Sequence, residues 1–246
     1  MPAWHADDPV VTATRTAPAW ERYAWVAGIL YVLALVAESA VGLGVGINQN
    51  DSAAKIASEL ADHRTTLLVV TCLCVVYAAM FPIYLWKLYD LFLRTDADGS
   101  RALGALLLVG GVLFVALHAV SDVAIYGVLV GKLASYGAHH DQGVSYTLYL
   151  MTYAVDSLAD IFGSLFAFAA GVLVFRSGVL PRWLAWVSIL VAMMLFVQAF
   201  GLGGVIASFG LVLDLIGFVL LLAFVLASCV ILLRRERAVR YGGRSE

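Results

Sequence analysis

The stretch SYTLYLMTYAVDSLADIFGSLFAFAAGVLVF, residues 145–175, carries no charged side chain other than Asp156 and Asp160. A membrane core takes about 20 apolar residues as an α-helix, and this run exceeds that length. Its hydrophobicity is continuous, whereas a barrel strand alternates over about ten residues. The stretch therefore reads as a membrane-spanning helix. Two residues four apart share one helix face, so it presents two carboxylates side by side near its middle.

The same reading extends outward along the chain. Of the 246 residues, 63% are hydrophobic and only 13% charged, and the mean hydropathy is +0.94. A soluble domain averages roughly 45–50% apolar and about 25% charged. Five further apolar runs lie at roughly 23–47, 65–93, 102–132, 183–205 and 208–233. The expected fold is all-α, a polytopic transmembrane bundle of six helices. Several runs exceed the minimum, which implies tilt or helices projecting beyond the lipid. Residues 1–21 are expected to form a mobile N-terminal tail, 22–235 the transmembrane domain and 236–246 a basic C-terminal tail.

A net charge of −2 gives no basic footprint for a nucleic-acid partner. Three cysteines make no disulfide framework. Cys72 and Cys74 fall on nearly opposite helix faces and read as small buried residues, with soft-metal ligation the alternative. GLGVG at 42–46 follows a membrane helix rather than a strand, so it is no dinucleotide loop.

Lysine and arginine set the orientation of membrane helices. Twelve of them, from Arg15 and Arg22 through Arg176 and Arg182 to Arg244, fall on one side, and only Lys55, Arg64 and Lys132 on the other. Both termini are therefore expected in the cytoplasm, in a bacterial plasma membrane. The outer loop NDSAAKIASELADHR reads as a short amphipathic helix, capped by Asp51 or Ser52, with Ile56 and Leu60 as its apolar stripe. It is expected to lie on the outer membrane face or to roof the bundle. KLASYGAHHD in the second outer loop echoes it at five positions, a likeness that chance explains in alanine-rich text. Gly127 and Gly131 form a small-xxx-small pair suited to close helix approach. Lys87 and Asp90 are expected to snorkel at the inner interface.

Deep within the runs lie Glu38 in the first, His118 and Asp122 in the third, Asp156 and Asp160 in the fourth, Gln198 in the fifth and Asp214 in the sixth. An acid at the centre of a lone helix costs on the order of 2.5–3.5 kcal/mol, so five facing lipid would cost about 15 kcal/mol. They must face the bundle interior. At ~1.5 Å rise per residue, all fall between the midplane and the outer surface. Residues on separate helices at one depth are what a shared polar site requires. His118 and Asp122 are four apart, as are Asp156 and Asp160, so each pair points to one side.

Acids gathered in low dielectric share protons, lock helices by hydrogen bonds to tyrosines such as Tyr126, Tyr149 and Tyr153, or hold a cation. Carboxylates with one imidazole suit a divalent metal, Zn, Mn or Fe, and an all-oxygen subset suits Ca²⁺ or Na⁺. The candidate metal residues are Glu38, His118, Asp122, Asp156 and Asp160, with Asp214 and Gln198 as additional candidates. No Ser-His-Asp or Cys-His nucleophile pattern stands out. The first expectation is transport or sensing of a small solute or ion. The alternatives are a metal-dependent hydrolase acting on a lipid, and a structural or accessory membrane subunit.

VFRSGVLPRWLAWVSIL at 174–190 resembles the basic turn and following helix of the bacterial domain of unknown function 4386 family. The loop SAAKIASELADHR, followed by an apolar helix ending YDLFLR, is similar to the same group. With the six-span layout, the likeness covers most of 22–235. It implies a six-helix inner-membrane protein and brings no activity or site residue with it.

Overall fold

The apolar runs fold as helices because a chain in hydrocarbon must satisfy every backbone polar group within the segment itself. The computed structural model describes residues 23–47, 50–95, 101–133, 142–200 and 207–242, with side chains at 133, 207–214 and 238–242 excepted. The described residues contain seven long elements: α1 (Ala24–Gly42), α2 (Ala53–Asp62), α3 (Arg64–Thr95), α4 (Arg101–Lys132), α5 (Gln142–Ser177), α6 (Arg182–Ala199) and α7 (Ala207–Gly242). All but α2 are long and apolar enough to cross a membrane. The chain is thus a multi-pass, all-helical membrane protein. Among the described residues there is no strand.

The spans close into a ring. Each packs on the next in sequence, α1 on α3, α3 on α4, α4 on α5, α5 on α6 and α6 on α7, and α7 returns to α1. α5 is the most enclosed, with 61% of its membrane window buried against 28% for α3. Small residues bring these helices together. A methyl group at Gly110 of α4 would stand 2.8 Å from the amide nitrogen of Phe166 on α5, so the two backbones meet there.

An aromatic layer fills the middle of the ring. Phe81 of α3 is wholly buried, with ring centroids of Tyr31 at 4.9 Å, Phe166 at 5.5 Å, Phe114 at 5.8 Å and Tyr84 at 6.0 Å. Those rings come from α1, α3, α4 and α5. Tilted and edge-on pairs at such spacings are the favoured geometry for aromatic quadrupoles.

At one end lies α2. Ser52 is its N-cap and accepts a hydrogen bond from the Lys55 amide, while Asp51 pairs with the Lys55 ammonium at 2.9 Å. Of the two capping residues the sequence offers, Ser52 is the one used. Ile56 and Leu60, four apart, are fully buried against Leu67, Leu129, Val130 and Tyr149. Burial away from water stabilises each such side chain by about 1.5–3 kcal/mol. The amphipathic helix therefore roofs the bundle. Arg64, just beyond it, donates to the carbonyls of Val130 at 3.3 Å and Gly131 at 2.8 Å. Those are end carbonyls of α4, which the helix cannot satisfy itself.

Three expectations need adjustment. α4 is not α-helical throughout: residues Ala119–Ile125 and Leu129–Leu133 are wound as π-helix. Gly127 lies close to Thr71, 3.2 Å from an added methyl group, but nothing approaches Gly131 within 4 Å. Lys87 is 7% exposed, enclosed by the bundle rather than snorkelling, while Asp90 pairs with Arg94 at 2.8 Å. Helical backbone continues past 236 as far as Gly242. The N-terminal segment 1–21 and the echo at 134–141 lie outside the described residues.

Candidate metal centre

Three ligating side chains converge between α4 and α5. Nδ1 of His118 lies 3.1 Å from Oδ1 of Asp156 and 3.8 Å from Oδ2 of Asp122. One ligand atom from each of the three falls within 4.8 Å of the other two. Metal–ligand bonds of ~2.0–2.2 Å in a tetrahedral shell place ligand atoms about 3.3–3.6 Å apart. The two histidine distances bracket that interval, and the three ligand atoms together lie within 4.8 Å of one another. One imidazole with two carboxylates is a donor set that Zn, Mn and Fe accept.

The three side chains retain 22%, 27% and 32% of their exposure for His118, Asp122 and Asp156, enough for an ion to enter beside them. They face a cavity of about 280 Å³ to which all six spans contribute. Glu38 and Tyr31 come from α1, Tyr77 from α3, Leu195 and Gln198 from α6, and Leu221 from α7. Asp160 and Tyr153 add to the α5 wall. Among the described residues lining it, no lysine or arginine offsets the carboxylates. Phe114, one turn before His118 and edge-on to its ring at 4.7 Å, belongs to the aromatic layer as well. The cavity therefore ends on that layer.

Neighbouring groups hold the site in place. The Tyr77 hydroxyl donates a hydrogen bond to Asp122. Ser121 donates to the carbonyl of Thr152 at 3.2 Å, tying the π-wound turn of α4 to α5 beside the site. π-helical turns are frequent at functional positions, because the extra residue per turn re-aims side chains that a regular helix would stack. Here the turn begins immediately after His118 and contains Asp122. Tyr149 and Tyr153, two residues offered as partners for the acids, bond each other at 2.9 Å.

Of the seven residues singled out by depth and spacing, six line this one cavity: Glu38, His118, Asp122, Asp156, Asp160 and Gln198. Among the described residues, only His118, Asp122 and Asp156 bring ligand atoms within 4.8 Å of one another as a group. The Glu38 carboxylate accepts from the Ser39 hydroxyl at 3.3 Å, and Asp160 is 5% exposed. The side chain of Asp214 lies outside the described residues. Among the described residues the cysteines do not join the group: Cys72 is exposed, and Cys74 and Cys229 are buried. Tyr77 was missed by sequence reasoning. Its signal was slight, a neutral tyrosine one turn before Phe81, since only ionisable groups carry a conspicuous burial cost.

The family described as "Domain of unknown function (DUF4386)" matches residues 26–233, and the chain belongs to it. No curated protein and no solved structure matches the chain.

Proposed function

We propose that this member of the DUF4386 family binds a divalent transition-metal ion at His118, Asp122 and Asp156, and uses it to sense or transport a small solute or ion across a bacterial plasma membrane. The observation that carries the reading is the meeting of one imidazole and two carboxylates, from two helices, within 4.8 Å. Helix locking alone would not require six polar side chains on a common cavity, nor a void beside them. Glu38 and Asp160 stand in the same cavity, where they add negative potential that favours a cation. The aromatic layer makes the cavity blind, which supports sensing over continuous conduction; transport by this site requires that layer to part. The Zn, Mn or Fe choice rests on the nitrogen–oxygen donor set.

A second reading draws on the same geometry. His118, Asp122 and Asp156 would hold an ion through three protein ligands, the number that leaves a position open in catalytic rather than structural zinc sites. An ion with an open position supplies a Lewis acid able to polarise a carbonyl or activate water, and leucine and phenylalanine side chains from α6 and α7 form an apolar wall for an acyl chain. This supports a metal-dependent hydrolase of lipid esters or amides.

Elemental analysis of protein purified without chelator tests the shared premise. Wild type is expected to carry about one transition-metal ion per chain, and Asp122→Asn/Asp156→Asn to carry less than about a tenth of that. Metal-free wild type under metal-replete growth sinks both readings and leaves proton sharing or helix locking.

A further inference from the structure

The arginines at the end of the bundle opposite α2 form a more specific arrangement than a general charge bias. α5 ends at Ser177 and α6 begins at Arg182, joined by a tight turn in which Gly178 takes φ +63°. That left-handed conformation is open to glycine at little cost. Val179 and Leu180 of the turn are buried at 2% exposure, so the turn is pinned against the core. Arg176 precedes it and Arg182 follows it, both exposed. The guanidinium of Arg235, from α7, donates to the carbonyl of Val179. One guanidinium from α7 thus bonds the turn, and exposed arginines of α5 and α6 flank it in sequence.

The setting favours an anion that arrives with an apolar body. Trp183 and Trp186 are 52% and 67% exposed on the first two turns of α6, and Trp186 stands edge-on to Phe175 at 5.2 Å. Exposed tryptophans of this kind settle at the headgroup level of a bilayer. Arginine forks match phosphate oxygens in pairs, which lysine does not. Pro181 supplies no side-chain cap to α6, so the first-turn amides add to the positive potential.

We propose that the 177–181 turn is a recognition site for the phosphodiester headgroup of an anionic phospholipid. Arg176, Arg182 and Arg235 contact the phosphate, and Trp186 lies along the upper acyl chain. The shared chemistry with free phosphate is the oxyanion; the exposed tryptophans assign it to lipid. The proposal is independent of the metal centre, which lies on the far side of the aromatic layer.

The test is native mass spectrometry of the full-length protein, in neutral detergent, titrated with phosphatidylglycerol or with phosphatidylcholine of the same acyl length. Wild type is expected to bind phosphatidylglycerol about tenfold more tightly, and Arg176→Gln/Arg182→Gln to lose most of that preference, since each basic residue near a lipid surface contributes substantially. Arg235 is left in place because it holds the turn. Arg101→Gln, at an exposed arginine on α4, serves as the control for loss of a basic residue elsewhere and is expected to keep the preference. Equal binding of the two lipids, retention of the preference in the double variant, or equal loss in Arg101→Gln would each overturn the proposal. So would displacement of phosphatidylglycerol by millimolar inorganic phosphate, which would make this a free-anion site.

Discussion

Nδ1 of His118 stands between two carboxylates at 3.1 Å and 3.8 Å, and what fixes the farther of them is Tyr77. The tyrosine is 5% exposed, with its ring edge-on to Tyr31 at 6.2 Å, so packing sets its direction and its hydroxyl then sets the direction of Asp122. With Asp122 as a ligand of the proposed metal site, a group that orients it in this way would typically contribute 10–100-fold in metal affinity. Tyr77→Phe keeps the ring and removes only the donor. It is expected to weaken metal binding by about that range, read by competition with a chromogenic chelator, while stability changes by about 1 kcal/mol. Unchanged affinity would show that Tyr77 does not position Asp122. The acids themselves are legible in the sequence because charge in hydrocarbon is costly and demands company. Tyr77 is not, because a neutral phenol in a span carries no comparable cost and becomes informative only once its partner is known.

At the scale of elements, hydropathy and helix spacing recover the six spans and the roof helix, including the buried faces of Ile56 and Leu60. They do not recover the π-wound segments of α4. A run of apolar residues tolerates either winding, and the determinants are contacts made by other helices, such as Ser121 to the Thr152 carbonyl. The small-residue motif shows the same limit. Gly127 and Gly131 have the right spacing for a shared face, yet the π-helical stretch between Leu129 and Leu133 breaks the regular repeat, and Gly131 meets nothing within 4 Å. Close approach is instead made at Gly110, against the Phe166 backbone. Backbone cannot yield as a side-chain tip can, so Gly110→Ala is expected to destabilise the protein by about 1–3 kcal/mol through overpacking. Gly131→Ala, with open space around it, is expected to change stability by less than about 0.5 kcal/mol. Chemical unfolding in detergent micelles compares the two. Equal effects would remove the case for a tight α4–α5 contact at Gly110.

For the whole molecule, the ring closes where α7 meets α1, a pairing that hydropathy cannot foresee because it says where helices lie and not which faces meet. Closure gives the cavity its six-sided wall and gives the aromatic layer its enclosure. Phe81 is the member that touches the others: the rings of Tyr31, Tyr84, Phe114 and Phe166 all lie within 6.0 Å of it. Removing a buried phenylalanine side chain costs about 3–5 kcal/mol, with the larger values where neighbours cannot collapse into the void. Four rings held by four helix backbones have little freedom to collapse, so Phe81→Ala is expected toward the upper part of that range. Phe81 supplies no ligand atom, the His118–Asp156 contact is made between α4 and α5, and Tyr77, the α3 residue bonded to Asp122, is kept in this variant. Metal content per folded chain is therefore expected to stay at the wild-type value while stability falls. Two measurements on one preparation check this, denaturant midpoint and elemental analysis. A loss below about 1 kcal/mol would mean that the layer is not what holds the ring together. Loss of metal from protein that is still folded would mean that the layer also shapes the site above it, and that floor and ligands act as one unit.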